Sequence, residues 1–260
     1  MKTLVAINNL TVVDQMAYAN HCQLWFRLGV MKGRRNIEGQ EVEFALCNPK
    51  RMTIDRMRNE AAKIAIEGDF DYLWFIDDDV LVPFDAFVKL QARDKDIIAG
   101  VTHIRGYPFY PMIFNFSDEK YKENTYVVDY KTTCDSSGLL KCDAVGFSCC
   151  LIKVSLLKKV IPPFFITSCA PSYNQTEDVF FCRRAKEQNP DLEVYVDTTI
   201  HTAHILGSDV IEPSTVEFWK TLEESRSPQL KEVIEREEKK GRLDRTPEQT
   251  ENVLKEVYAI

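Results

Sequence analysis

The sequence predicts an α/β protein, a mixed sheet flanked by helices. Three observations carry this prediction. Short apolar stretches of strand length alternate with amphipathic helical stretches from residue 2 to about residue 207. One of them, residues 72–76 (Tyr-Leu-Trp-Phe-Ile), is apolar throughout and reads as a strand buried on both faces. It runs straight into Asp77, Asp78 and Asp79, and a buried strand does not carry three unpaired charges, so the acids stand at its exit. In extended geometry Asp77 and Asp79 point to one side and Asp78 to the other. Ligands of open α/β sheets sit outside the carboxyl ends of the strands. Two carboxylates there suit Mg²⁺ or Mn²⁺ holding a phosphate. The triplet by itself also reads as a solvated acidic turn.

The first strand covers residues 4–7 and ends at Asn8-Asn9, which is turn chemistry. A helix follows over 11–28, then a basic loop between Gly33 and Gly39, then a strand over 42–47 closed by Asn48-Pro49. Residues 53–67 form the clearest helix, with Thr53 as cap and Gly68 past its end. Its apolar face holds Ile54, Met57, Ala61 and Ile64. Arg51, Arg58 and Asn59 lie on or beside the other face, either as a solvated surface or toward the crevice. After Pro83 come a helix over 84–93 and a buried strand over 96–101. The loop 103–108 mixes His103, Arg105 and aromatics, as binding loops and plain surface loops both do.

Strands over 112–116 and 126–130 form an antiparallel excursion with 117–124 at its tip. Residues 141–153 read as one strand rich in small residues, where Gly146 permits a close approach. A helix over 155–160 breaks at Pro162-Pro163, and 164–175 reads as an irregular lid or acceptor loop. Thr176 caps a helix with Glu177 and Asp178 in its first turn, where the dipole alone favours acids. A strand over 192–196 leads to Asp197, His201 and His204; the two histidines suit a metal or a structural role. The expected body is 1–207. A C-terminal helical tail, 208–260, begins helices at capping boxes 214–217 and 246–249 and packs on the body or on a second subunit.

The composition narrows the function. With 260 residues, 45% hydrophobic, the chain has ample core. A formal charge of -7, with no basic stripe, argues against nucleic acid and anionic membrane as partners. Eight cysteines include no Cys-x-x-Cys pair. No signal-peptide pattern or membrane-length apolar stretch is present, so a reduced, cytoplasmic setting is expected.

In this order the pieces resemble the GT-A glycosyltransferases, which use nucleotide sugars. The resemblance spans roughly residues 2–207. It rests on Arg58-Asn59 with Ala62, the segment 72–80, Asp143-Ala144-Val145-Gly146-Phe147, the segment 177–184, and Tyr195-Val196-Asp197 with His204-Ile205-Leu206-Gly207. It implies a GT-A, Rossmann-like fold. Asp77 resembles the acid that meets the nucleotide or its ribose, and with Asp79 and His204 it makes up the implied metal set for Mn²⁺ or Mg²⁺. His201 is the second choice to His204. Glu177-Asp178 resembles the pair that supplies the base in inverting members, with Asp178 first. Gly146 and Phe147 resemble the acceptor-side strand, and His103 and Arg105 join them around the donor sugar. The nucleotide subsite is expected among Asn8, Asn9, Asn48, Arg51, Arg58, Asn59, Asp77 and Asp78. Members commonly show Pro and an Arg-bearing loop after the first strand, where this chain has Asn8-Asn9-Leu10.

The implied activity is transfer of a sugar from a nucleotide-diphosphate donor to a glycan or other hydroxyl acceptor, with inversion. Two alternatives stand beside it: a sugar-phosphate nucleotidyltransferase, which usually carries a Gly-rich loop absent here, and a non-catalytic sugar-nucleotide-binding subunit. The C-terminal helices are the expected site of any homo-oligomer.

Overall fold

The computed structural model describes residues 1–8, 13–35, 39, 41–49, 52–116, 125–128, 134–170, 173–226 and 232. In chain order the elements are β1 (Lys2–Asn8), α1 (Gln15–Met31), β2 (Glu43–Cys47), α2 (Ile54–Glu67), β3 (Tyr72–Asp77), β4 (Val80–Leu81), α3 (Ala86–Ala92) and β5 (Ile97–Val101). There follow β6 (Ile113–Phe116), β7 (Thr125–Val127), β8 (Leu139–Cys142), β9 (Ala144–Val145), β10 (Cys149–Lys153) and α4 (Val154–Leu157). The chain continues with β11 (Ser168–Ala170), β12 (Tyr173–Gln175), α5 (Glu177–Gln188), β13 (Val194–His201), β14 (Ala203–Leu206), β15 (Asp209–Ile211) and α6 (Val216–Arg226).

The main sheet has seven strands in the order β2-β1-β3-β10-β5-β13-β8. β1 runs parallel to β2 and β3, and β13 parallel to β5. β10 is inserted antiparallel between β3 and β5, and β8 closes the far edge antiparallel to β13. The sheet is therefore mixed, as expected.

β3 is central because every side chain from Leu73 to Ile76 is apolar and fully buried. Leu73 and Phe75 enter the core shared with α2 and α5; Trp74 and Ile76 enter the core shared with α1 and α3. Each such side chain contributes about 1.5–3 kcal/mol on burial. Ala61, Ala62 and Ala65 let α2 lie close against its layer, and the helix ends at Gly68. Register then fixes the sheet's upper edge: Asn8 stands opposite Asp77.

Several elements differ from expectation. α1 begins at Gln15, because the Asp14 carboxylate accepts the Met16 N–H and caps it there. Thr53 holds the cap position of α2 without a side-chain bond. The stretch 141–153 is three strands rather than one. The chain turns at residues 146–148, leaving β9 on the small sheet with β6 and β7 and starting β10 in the main sheet. Residues 164–175 contain the hairpin β11-β12. β13 runs on to His201 through a bulge after Asp197. β14 pairs with β4 and β15, which sets His204 across from Val80. Of the C-terminal stretch, α6 is described; the box at 246–249 lies outside the described residues.

Among the described residues seven cysteines are free thiols and most of them are buried, as expected of small core residues. Burial pushes the Cys149 and Cys182 thiols up to about 12, so neither is a ready nucleophile. Among the described residues no helix is long and apolar enough to cross a membrane.

Candidate active site

One buried guanidinium joins the two acidic stretches. Arg58 reaches from α2 to the end of β3, where Nη2 donates to Asp77 Oδ1 at 3.0 Å. Its Nη1 lies 2.7 Å from Glu177 Oε1, on the first turn of α5. Arg58 is only 2% exposed. Its charge is tolerated there because two carboxylates flank it and two rings face it, Phe75 at 5.6 Å and Phe147 at 5.5 Å. Burial opposes the charged form, but Asp77, Glu177 and Asp178 outweigh it and hold Arg58 protonated more firmly than usual.

Glu177 responds in the opposite sense. Burial pushes its carboxyl up to about 7; Arg58 opposes the rise, while Asp178 and Asp77 add to it. An acid poised there exchanges protons near neutrality. Asp178 is also buried. Its Oδ1 accepts the Thr176 hydroxyl and the Val179 N–H, whereas its other oxygen accepts no hydrogen bond among the described residues.

The second cluster lies just past β3. Asp79 Oδ2 is 3.4 Å from His204 Nε2 and 3.1 Å from Arg105 Nη1. His204 Nδ1 is 2.8 Å from the His103 carbonyl oxygen. A carbonyl only accepts, so Nδ1 carries the proton, and in the neutral ring the Nε2 lone pair faces Asp79. Two lone pairs at that distance call for a proton or a cation. Burial raises the Asp79 carboxyl, but His204 and Arg105 overcome it and hold it below the usual carboxylate range. Asp79 and His204 fit a divalent ion of the hard-to-borderline kind. Among the described residues no group of three His, Cys, Asp or Glu side chains is arranged to hold a metal ion by itself. An ion here would therefore take its remaining ligands from substrate and water.

The other expected site residues fall into distinct settings. Asn8 is 3% exposed, and neither atom of its amide has a partner among the described residues. Such a group beside Asp77 suits a ligand with complementary donors and acceptors. Asn48 is exposed at the end of β2, and Asp78 is half-buried in the turn after β3. Asn9 and Arg51 lie outside the described residues.

Asn59, expected at the nucleotide, is instead committed to the loop at 164–165. Its Nδ2 donates to Phe165 O and Asp55 O, and its Oδ1 accepts from the N–H groups of Phe164 and Phe165. Phe147, expected on the acceptor side, is fully buried among Phe75, Phe165 and Phe181 and forms the floor under Arg58. The close approach at Gly146 comes from Met112, not from the crevice: a Cβ there would lie 2.8 Å from the Met112 Cβ. His103 is buried, with Nδ1 donating to Phe109 O at 2.6 Å, and it serves the site through its carbonyl. His201 is exposed and donates to Thr198 O.

Two contributors were not visible in the sequence as site residues. Thr176, read there as a helix cap, binds Asp178. The Tyr107 hydroxyl donates to Glu224 at 3.0 Å and ties the 103–111 loop to α6. The second contact joins residues 117 positions apart and leaves no local pattern to read.

No protein-family description and no curated protein matches the chain. Among solved structures, the chain is similar to A197 from STIV, with a TM-score of 0.54 and 18% identity over 82% of this chain and 91% of that one. It is also matched to apo-UDP-glucose pyrophosphorylase, with a TM-score of 0.39 and 8% identity over 76% of this chain and 89% of that one. A further match is 4-diphosphocytidyl-2C-methyl-D-erythritol synthase from Anaerococcus prevotii, with a TM-score of 0.40 and 10% identity over 85% and 98%. The first of these likenesses shows a shared α/β fold.

Proposed function

We propose that this chain is a metal-dependent glycosyltransferase, taking a sugar from a nucleoside-diphosphate donor and passing it to an acceptor hydroxyl with inversion. One observation carries the reading: a single buried arginine ion-paired with both Asp77 and Glu177. It brings an acid pair from a distant helix to the carboxyl end of the central strand, beside the Asp79–His204 pair.

The two clusters suit different parts of one reaction. Asp79 and His204 would hold Mn²⁺ or Mg²⁺, which would supply Lewis-acid neutralisation of the diphosphate. The acceptor alcohol is a poor nucleophile. Asp178 takes its proton as the acceptor oxygen bonds to the anomeric carbon, and the old bond's electrons leave with the diphosphate. Positioned bases of this kind contribute about 10²–10⁴-fold. Asn8 and Asn48, at the ends of β1 and β2, would meet the nucleotide; the unpartnered amide of Asn8 supports this. Arg58 and Asn59 support the site without touching ligand.

The second reading, nucleotidyl transfer to a sugar phosphate, uses the same metal pair. A phosphate oxygen is already anionic at neutral pH and needs no base, so Asp178 and Glu177 would have no task. The acid pair thus favours an alcohol as acceptor. Incubation with a panel of nucleotide sugars and Mn²⁺ tests both. Release of a nucleoside diphosphate that depends on Asp79 and Asp178 supports glycosyl transfer. Release of pyrophosphate from a nucleoside triphosphate and a sugar phosphate replaces it with the second reading. Tight binding of the donor with no turnover to any acceptor or to water leaves a binding subunit.

A further inference from the structure

Asp79 Oδ2 serves two partners at once, and only one of them is fixed. His204 is locked by its bond to the His103 carbonyl and by the pairing of β14 with β4 and β15. Arg105 is the movable one: its side chain is 53% exposed, and Asp79 is its only ion-pair partner among the described residues. Arg105 stands on the loop 103–111, which is closed on itself by the bonds Ile104 N–H to Tyr110 O and Phe109 N–H to Gly106 O. The backbone is held while the side chain remains free to swing.

We propose that Arg105 is a resident cation, occupying Asp79 until a divalent ion arrives and then turning onto the donor's diphosphate. The inference rests on the glycosyltransferase reading above and adds an order of events to it. Asp79 Oδ2 is shared by His204 Nε2 at 3.4 Å and Arg105 Nη1 at 3.1 Å, so Arg105 sets a positive charge on this carboxylate in the ligand-free protein. A divalent ion at the same oxygen would repel a guanidinium 3.1 Å from it. Displaced, Arg105 finds its next anion in the diphosphate beside the ion, where a planar fork of donors matches phosphate oxygens. The ion then binds weakly alone and more tightly with the diphosphate, and by linkage the reverse holds too.

Binding measurements separate the two roles of Arg105. Mn²⁺ alone is titrated by electron paramagnetic resonance into wild type, Arg105→Gln and Asp79→Ala. A preformed manganese–pyrophosphate complex is then titrated by calorimetry. Arg105→Gln should bind Mn²⁺ alone about fivefold more tightly, the worth of a part-exposed ion pair. It should bind manganese–pyrophosphate about tenfold more weakly, through loss of a charge-assisted bond. If Asp79→Ala abolishes Mn²⁺ binding while Arg105→Gln leaves it unchanged or weaker, the resident-cation proposal is overturned and the metal site stands. If Asp79→Ala binds Mn²⁺ as wild type does, the metal reading falls and this inference with it.

Discussion

Arg58 Nη1 lies 2.7 Å from Glu177 Oε1, so a salt bridge joins helix α2 to helix α5 across the end of the central strand. The same guanidinium holds Asp77. Three acids converge on one buried cation: Asp77, Glu177 and the nearby Asp178. That arrangement sets the first prediction.

Replacing Arg58 with Met keeps much of its volume over Phe75 and Phe147 but removes the charge. Breaking a buried pair by deleting one partner typically costs about 3–5 kcal/mol. At pH 8 the variant should lose stability of that order in urea denaturation. At pH 5 the loss should be smaller, because Glu177 then takes a proton and one uncompensated charge disappears. An equal loss at both pH values would mean that the contact is chiefly packing.

Glu177 also makes stability depend on pH in wild type. Its folded-state carboxyl sits at about 7, above its ordinary value of 4.5. The folded protein therefore binds the proton more readily than the unfolded chain. The contribution is fully present below about 4.5 and is lost as pH rises through about 7. His21 works the other way: burial lowers its ring, against the bond to Val80 O, so its contribution is lost as pH falls. Both proteins share His21, so the difference between wild type and Glu177→Gln isolates Glu177. Wild type should lose stability relative to Glu177→Gln between pH 5 and pH 8. A flat difference over that range would contradict the raised carboxyl.

Much of this fold follows from local pattern. Residues 72–76 announce a doubly buried strand, and Ala61 and Ala65 on the apolar face announce a helix pressed against it. The place of Asp77 and Asp79 at the strand exit follows from the cost of burying them. What local pattern does not contain is partner choice. Asn59 reads as a surface polar residue because its partners, the backbone groups of Phe164 and Phe165, lie 105 and 106 residues away. Gly146 reads as a place where a ligand or another backbone comes close, whereas the approach is made by the Met112 side chain, from another strand region. Phe147 beside it reads by resemblance as part of the acceptor-side strand, whereas it belongs to the aromatic stack beneath Arg58. The Arg58 bridge itself spans two helices and a strand, and nothing in the spacing of its members predicts it.

Gly146 gives a prediction that separates packing from ligand contact. An added Cβ would meet the Met112 Cβ at 2.8 Å, closer than side-chain carbons pack. Gly146→Ala should therefore cost about 1–3 kcal/mol through overpacking. Trimming Met112 to Ala should not restore it, because the offending Cβ remains. Recovery in the double variant would place the clash in the methionine's outer atoms. A Gly146→Ala protein of normal stability but impaired acceptor use would return this glycine to the crevice.

Asn59 should act on stability as well. Asn59→Ala leaves the N–H groups of Phe164 and Phe165 and the Phe165 carbonyl without their side-chain partner. Unsatisfied buried groups cost about 1–3 kcal/mol each, less where water reaches them. The variant should lose on the order of 2 kcal/mol and show faster amide exchange at residues 164 and 165. Affinity for a nucleotide should change little. A large loss of nucleotide affinity at unchanged stability would restore Asn59 to the ligand.

The last prediction concerns which acid receives the proton. Asp178 has one oxygen held by Thr176 and Val179 and the other without a partner among the described residues, whereas Glu177 has one oxygen on Arg58. A base must turn a free lone pair to the acceptor, and Asp178 has the better claim. Asp178→Asn keeps the size and the capping acceptor but removes the basicity, so kcat should fall by about 10²–10⁴-fold with the donor's KM nearly unchanged. Glu177→Gln should fall less, and by altering the field around Arg58 it should shift the acid limb of the pH–rate profile. If Glu177→Gln abolishes turnover while Asp178→Asn retains it, the roles are exchanged: the acid at about 7 is then the base, and Asp178 serves to cap the helix.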